Sequence, residues 1–142
     1  MGMEPEIEMR DVEITELIKR SDERGWLVEA LRLESMNSNC ELGQIFVSVA
    51  KPEKVRGNHY HNRKIEWFYV PSGSGLLLLK DPDSGEELEI LMGEDNPKTV
   101  KITPPIIHAI KNVGNKDMVL MVYVSEAFDP TDPDTFYQKI LE

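Results

Sequence analysis

The chain has 142 residues, a net charge of -10 and one cysteine, Cys40. An acidic balance of that size disfavours wholesale binding to nucleic acid or to an anionic membrane surface. A lone cysteine forms no internal disulfide and fits a reducing, cytoplasmic setting, the acidic and proline-broken start "MGMEPEIEMR" is no secretory signal, and no apolar run approaches the ~20 residues of a membrane span.

Residues 1–20 read as an N-terminal arm, and 21–142 as one domain long enough to bury a core without staples. In the arm, "DVEITELIKR" fits a helix or a twisted strand, because Val12, Ile14, Leu17 and Ile18 suit either period. Strand-like segments then dominate. "GWLVEALRL" and "GQIFVSVA" are rich in β-formers, and "EWFYV" runs into the turn signal "PSGSG". "GLLLLK" and "EELEIL" flank "DPDSG", which predicts a hairpin with Gly85 at a positive-φ position. "KTVKITPP", "IIHAIKN" and "MVLMVYV" follow, the last apolar on both faces and so a central strand. Short strands at this spacing predict an all-β sandwich or barrel, closed by a short capped helix in "DPDTFYQKILE" with Asp132 or Asp134 accepting from open backbone N–H groups.

Chemistry concentrates in "VRGNHYHNRKIEWFYVPSGSG", which holds two of the three histidines. His59 and His61, one residue apart on a strand, share a face with Cα atoms about 6.5–7 Å apart, so two ring nitrogens can converge on one ion. A turn at Asn62 to Lys64 brings Glu66 back on the next strand, and His108 follows "TPP" in another. Three imidazoles and a carboxylate suit Zn, Fe(II), Mn, Ni or Co. If Glu66 points inward then Phe68 does too, with Trp67 and Tyr69 on the other face, and Tyr60 points away from the histidines. Lys51, Lys54, Arg56, Arg63 and Lys64 crowd the same stretch, either as a rim that draws in a diphosphate or as a solvated strand edge.

His59, His61, Glu66 and Gly73 meet the pattern H-x-H, four residues, E, six residues, G, which resembles the first cupin motif. His108 and Asn112 match the end of the second, although Pro105 stands where glycine is usual and Thr103 where proline is. The resemblance implies a cupin, a double-stranded β-helix of jelly-roll type. "SDERGWLVEALR" is similar to the opening of the sugar-nucleotide 3,5-epimerases that act on dTDP-4-keto-6-deoxyglucose. "RGNHYHN" and "FDPTDPDTF" resemble more closely the C-terminal cupin domain of bifunctional capsular-polysaccharide enzymes that epimerise a UDP-4-keto-sugar at C3.

That resemblance implies a nucleotide-sugar C3 epimerase or isomerase of cell-surface polysaccharide synthesis, a homodimer working alone or beside a separate reductase. It implies Arg24, Trp26 and Glu29 as nucleotide contacts, with Arg56, Lys54 and Arg63 around the diphosphate. His59 is the general base in the metal-free epimerases and a ligand in a metal-loaded cupin. A ring nitrogen on a metal has no lone pair for a proton, so in the loaded state another group, such as Tyr123 or a metal-bound water, must act, or the metal is structural. A metal-dependent oxygenase and a non-catalytic sugar- or metal-binding cupin remain alternatives.

Overall fold

Along Met118–Val124, Met118, Leu120, Val122 and Val124 are buried while Val119, Met121 and Tyr123 turn the other way. That period of two belongs to a sheet with one face on a core. A computed structural model describes residues 9–32 and 42–142, which fold as twelve strands with no helix among the described residues. Cys40 lies outside them.

Numbered in chain order, one sheet runs β1 (Glu13–Glu16), β9 (Lys98–Ile102), β6 (Glu66–Ser72), β11 (Met118–Val124), β4 (Gln44–Ala50). The facing sheet runs β12 (Phe136–Tyr137), β5 (Val55–Tyr60), β10 (Ile107–Asn112), β7 (Ser74–Lys80), β8 (Glu87–Gly93). Among the described residues β2 (Lys19–Asp22) and β3 (Gly25–Val28) pair only with each other. Two antiparallel sheets with crossovers between them give the jelly roll expected of a cupin.

Phe68, Val100, Leu120 and Val122 from the first sheet meet Leu77, Leu79, Ile90 and Ile110 from the second in one core. Each such side chain contributes roughly 1.5–3 kcal/mol by leaving water. The ambiguous N-terminal segment resolves as strand: Glu13–Glu16 pairs with β9, and Met9 and Val12 join the core. Gly85 adopts φ +75° in the β7–β8 hairpin, as its turn chemistry requires.

The expected C-terminal helix is not formed. Phe136 and Tyr137 pair instead with Tyr60 and His59 of β5, and Asp134 takes a left-handed backbone with φ 48°. Asp134 does cap open N–H groups, but those of Asn62, Arg63 and Lys64, at 2.9, 2.9 and 3.1 Å. The altered turn before His108 survives, closed by Ile106 N–H on the Thr103 carbonyl at 3.0 Å. Asn112 is a structural lock: its amide donates to the carbonyls of Ala50 and Lys116, each at 2.8 Å.

Candidate metal and active site

β5 supplies His59 near its end, His61 follows it, β6 opens with Glu66, and β10 carries His108. Register explains their meeting. His59 lies directly opposite His108, and His108 opposite Leu79, so both imidazoles point into the sandwich at one end of the core. The potential ligand atoms of all four residues lie within 4.8 Å of one another. His59 and His108 rings are 4.6 Å apart, centre to centre, and His61 is 5.1 Å from His59. Phe68 packs edge-on against His108 at 5.4 Å, which confirms that Glu66 and Phe68 share the inner face.

A bulge shapes the mouth of the site. His59 pairs with His108 and Gly57 with Ala109, so Asn58 is an extra residue on β5. The extra residue resets the alternation and turns Arg56, opposite Ile110, to the inner face as well. Gly57 sits at φ +99°, and a Cβ there would be 2.8 Å from the His108 carbonyl oxygen, so only glycine fits.

The polar balance suits a cation. His61 Nδ1 lies 2.6 Å from the Asp134 carbonyl, which can only accept, so Nδ1 carries the proton and Nε2 faces Glu66 Oε1 at 3.0 Å. His108 Nε2 is 3.1 Å from the same oxygen but out of alignment, and among the described residues it has no hydrogen-bond partner despite complete burial. An orphaned buried nitrogen beside two further imidazoles and a carboxylate fits a divalent transition ion, which this donor set would satisfy. Burial, then the neighbouring His108 and His61, push the His59 pKa down to about 4, so its ring is neutral at pH 7. For His61 burial acts downward, but the Glu66 hydrogen bond and charge outweigh it and raise the pKa. Burial acts to raise the Glu66 pKa, yet His108 and His61 hold it well below the usual carboxylate range.

Clefts of about 230 and 310 Å³ open over His59 and Glu66. Arg56 lines the larger and spends two N–H groups on the Val49 carbonyl, at 3.1 and 2.6 Å. Arg63 stands at the rim in ion pairs with Glu126 and Asp132, at 2.8 and 3.2 Å. Lys51 and Lys54 are exposed in the turn before β5. The structure does not bring Arg24, Trp26 and Glu29 to the cluster within this chain. Arg24 pairs with Asp22 on the β2–β3 hairpin, Trp26 lies under Lys19, and Glu29 faces Arg32. Tyr123 lies opposite Trp67 on the outer face of its sheet, separated from the histidines by the sheet itself.

Two site residues, Tyr137 and Asp134, escaped the sequence as parts of the site, and a third, Lys64, was legible only as one of a basic rim. Lys64 is buried, donates to the Pro133 carbonyl at 3.0 Å and lines the smaller cleft. Tyr137 lies opposite His59 on the inner face, with its ring 6.1 Å away edge to face and 81% exposed. Asp134 holds the turn between His61 and Glu66. The only signal for the last two is "FDPTDPDTFY", whose prolines and aspartates mark a fixed segment without saying what it lies against.

The family described as "Polysaccharide biosynthesis C-terminal domain" matches residues 20–136. A UDP-2-acetamido-2,6-beta-L-arabino-hexul-4-ose reductase of Pseudomonas aeruginosa is 35% identical over 116 residues, covering 82% of this chain and 30% of that protein. The chain thus spans under a third of that relative's length. "Probable low-salt glycan biosynthesis epimerase Agl13" of Haloferax volcanii is 29% identical over 132 residues, covering 89% of this chain and 85% of the relative. Among solved structures, a dTDP sugar isomerase of Desulfovibrio desulfuricans superposes with a TM-score of 0.82 at 21% identity, covering 92% of this chain and 85% of that one, a likeness of fold. With the motif, the sandwich and the matched span in agreement, the chain belongs to the polysaccharide biosynthesis C-terminal domain family and has the cupin fold.

Proposed function

We propose that this protein is a nucleotide-sugar C3 epimerase or isomerase, acting on a 4-keto-6-deoxy sugar for cell-surface polysaccharide. In this reading it holds one divalent transition metal, zinc first, on His59, His61, Glu66 and His108. The observation that carries the reading is the four-residue cluster lying under a cleft that also holds Arg56 and Tyr137. The relatives' names, a hexul-4-ose reductase and a glycan epimerase, support the substrate class and the reaction.

A ketone at C4 makes the C3 hydrogen removable, because the carbanion delocalises into an enolate. Bound at the cluster, the ion supplies positive charge that lowers the energy of that enolate. The chain's own residues do the rest. Arg56 has N–H donors beyond those spent on Val49 and suits a diphosphate oxygen. Tyr137 takes the role for which the sequence offered Tyr123 as an example: water takes the C3 hydrogen from the far face, the Tyr137 phenol returns a proton to C3 of the enolate on the open side of the cleft, and the phenolate left behind recovers its proton from solvent. His59, in the ligand set, positions the ketone edge and does not act as base. A separate reductase completes any later step.

Mixing metal-analysed protein in D2O with UDP- and dTDP-4-keto-6-deoxy sugars should put deuterium at C3, followed by NMR. Tyr137→Phe should lower that exchange by about 10²-fold or more, while Tyr123→Phe keeps most of it. Exchange lost in Tyr123→Phe and kept in Tyr137→Phe would reverse the assignment. No exchange across the panel would remove the epimerase reading.

The same reading makes the protein a cytoplasmic homodimer. Ile45, Val47 and Val49 are 48%, 58% and 40% exposed on the outer face of edge strand β4, and Trp26 and Leu27 stand out on the hairpin. An open apolar edge of this kind is ordinarily covered. Light scattering should report a dimer for the parent and a monomer for Val47→Glu. In the dimer Arg24, Trp26 and Glu29 reach the neighbouring site. A monomeric parent would leave those three without a role in binding.

A further inference from the structure

The turn Asn62 to Lys64 joins two candidate ligands, His61 and Glu66, and its three successive backbone N–H groups point the same way. All three end on one carboxylate, Asp134: Asn62 N–H on Oδ1 at 2.9 Å, Arg63 and Lys64 N–H on Oδ2 at 2.9 and 3.1 Å. Asp134 is 4% exposed and lies some seventy positions away in sequence, on the segment leading into β12. Its backbone carbonyl accepts from His61 Nδ1 at 2.6 Å. One residue therefore fixes both the turn between two ligands and the ring orientation of one of them. The neighbouring carbonyl of Pro133 accepts from the Lys64 ammonium at 3.0 Å, tying the same turn a fifth time.

We infer that Asp134 is a positioning residue of the metal centre: its main-chain oxygen fixes His61 as the Nδ1–H form with Nε2 as the donor to metal, and its carboxylate holds His61 and Glu66 at ligand spacing. This rests on the metal reading above. Two physical arguments carry it. A carbonyl accepts and never donates, so His61 can present only Nε2 inward. A buried carboxylate that collects three N–H groups is costly to disturb, since removing it strands the buried Lys64 N–H and frees the part-buried turn at Asn62 and Arg63 to rearrange. Partners of this outer kind set ligand orientation, and losing one typically costs 10- to 100-fold in metal affinity.

Asp134→Asn is the informative variant. At φ 48° asparagine keeps the left-handed backbone nearly as well as aspartate, so the carbonyl stays in place while the negative charge goes. Asp134→Ala removes the side chain and the backbone preference together. Zn²⁺ affinity of the full chain, measured by competition with a chromophoric chelator, should fall about 10-fold or more for Asp134→Asn and further for Asp134→Ala. Asp132→Asn changes an exposed carboxylate two residues away and should leave it unaltered.

A spectroscopic signature separates positioning from general loosening. In Zn-loaded protein, long-range ¹⁵N–¹H NMR should show His61 protonated at Nδ1 and metal-bound at Nε2, and the Co²⁺-substituted visible spectrum should change in Asp134→Asn. His61 bound through Nδ1, or an Asp134→Asn protein with parental affinity and Co²⁺ spectrum, would overturn the inference while leaving the metal site standing. A parent chain that takes up no Zn²⁺ or Co²⁺ would instead remove the metal reading, and this inference with it. Should Asp134→Ala fail to fold, the Asp134→Asn and NMR results still decide.

Discussion

Glu66→Gln protein is expected to leave purification with little or no transition metal, where the parent carries close to one ion per chain. The side chain is buried, and its Oε1 sits 3.0 Å from His61 Nε2 and 3.1 Å from His108 Nε2. Glutamine preserves the volume and removes the sole anion among three imidazoles. A divalent ion then enters a buried site with no charge to offset its own, so affinity should fall at least about 100-fold, which is about 2.7 kcal/mol. Elemental analysis and Zn²⁺ titration check this. A second readout comes from the metal-free protein. Without Glu66 the burial of His61 is opposed by the Asp134 carbonyl alone, so its pKa should fall from the parental value, visible by NMR titration. Stoichiometric metal in Glu66→Gln would take Glu66 out of the ligand set. A parent that never takes up metal would return His59 to the role of base.

Gly57→Ala should destabilise the fold strongly, costing about 3 kcal/mol or more. Two penalties combine there. The backbone stands at φ +99°, where a Cβ is strained, and the added carbon would lie 2.8 Å from the His108 oxygen and 3.1 Å from Ala109 Cα. Neither neighbour can yield, since both are backbone atoms of a central strand. Urea denaturation should show a lower midpoint. Variant protein that does fold should bind nucleotide sugar less well, because relaxing the bulge returns Arg56 toward the outer face. A loss under about 1 kcal/mol would mean that the strand passes the site without needing its extra residue.

How far the sequence carried can be read from particular residues. Runs of β-formers and turn chemistry located β4, β6, β7, β8 and β11, because short apolar or alternating stretches there are bounded by glycine, proline or aspartate. The ligand cluster was legible because His59, His61 and Glu66 are close in sequence and the chain has only one other histidine. What failed was longer in range. The bulge that turns Arg56 inward depends on pairing with β10, although "GN" before His59 hinted at it. Tyr123 looked available until its partner across the sheet, Trp67, fixed it on the outer face. The tail read as a helix because Asp132 and Asp134 are good caps. No local rule says that a cap will serve a turn seventy residues away when β5 offers a free edge for Phe136 and Tyr137.

The contact between Asp134 and the turn at Asn62 to Lys64 also orders events during synthesis. A ribosome that has translated as far as His108 has already delivered all four clustered side chains. The acceptor for three of the turn's N–H groups, and the oxygen that fixes the His61 ring, come 26 residues later. At translation speeds of about 5–20 residues per second that is an interval of about one to five seconds, and further residues remain within the exit tunnel. During it the cluster exists in sequence but not in geometry, so an ion captured early meets a looser site than the finished one. On the proposed metal reading, maturation of the site is tied to the emergence of the tail, and nascent chains stalled before Asp134 should exchange metal faster than released protein.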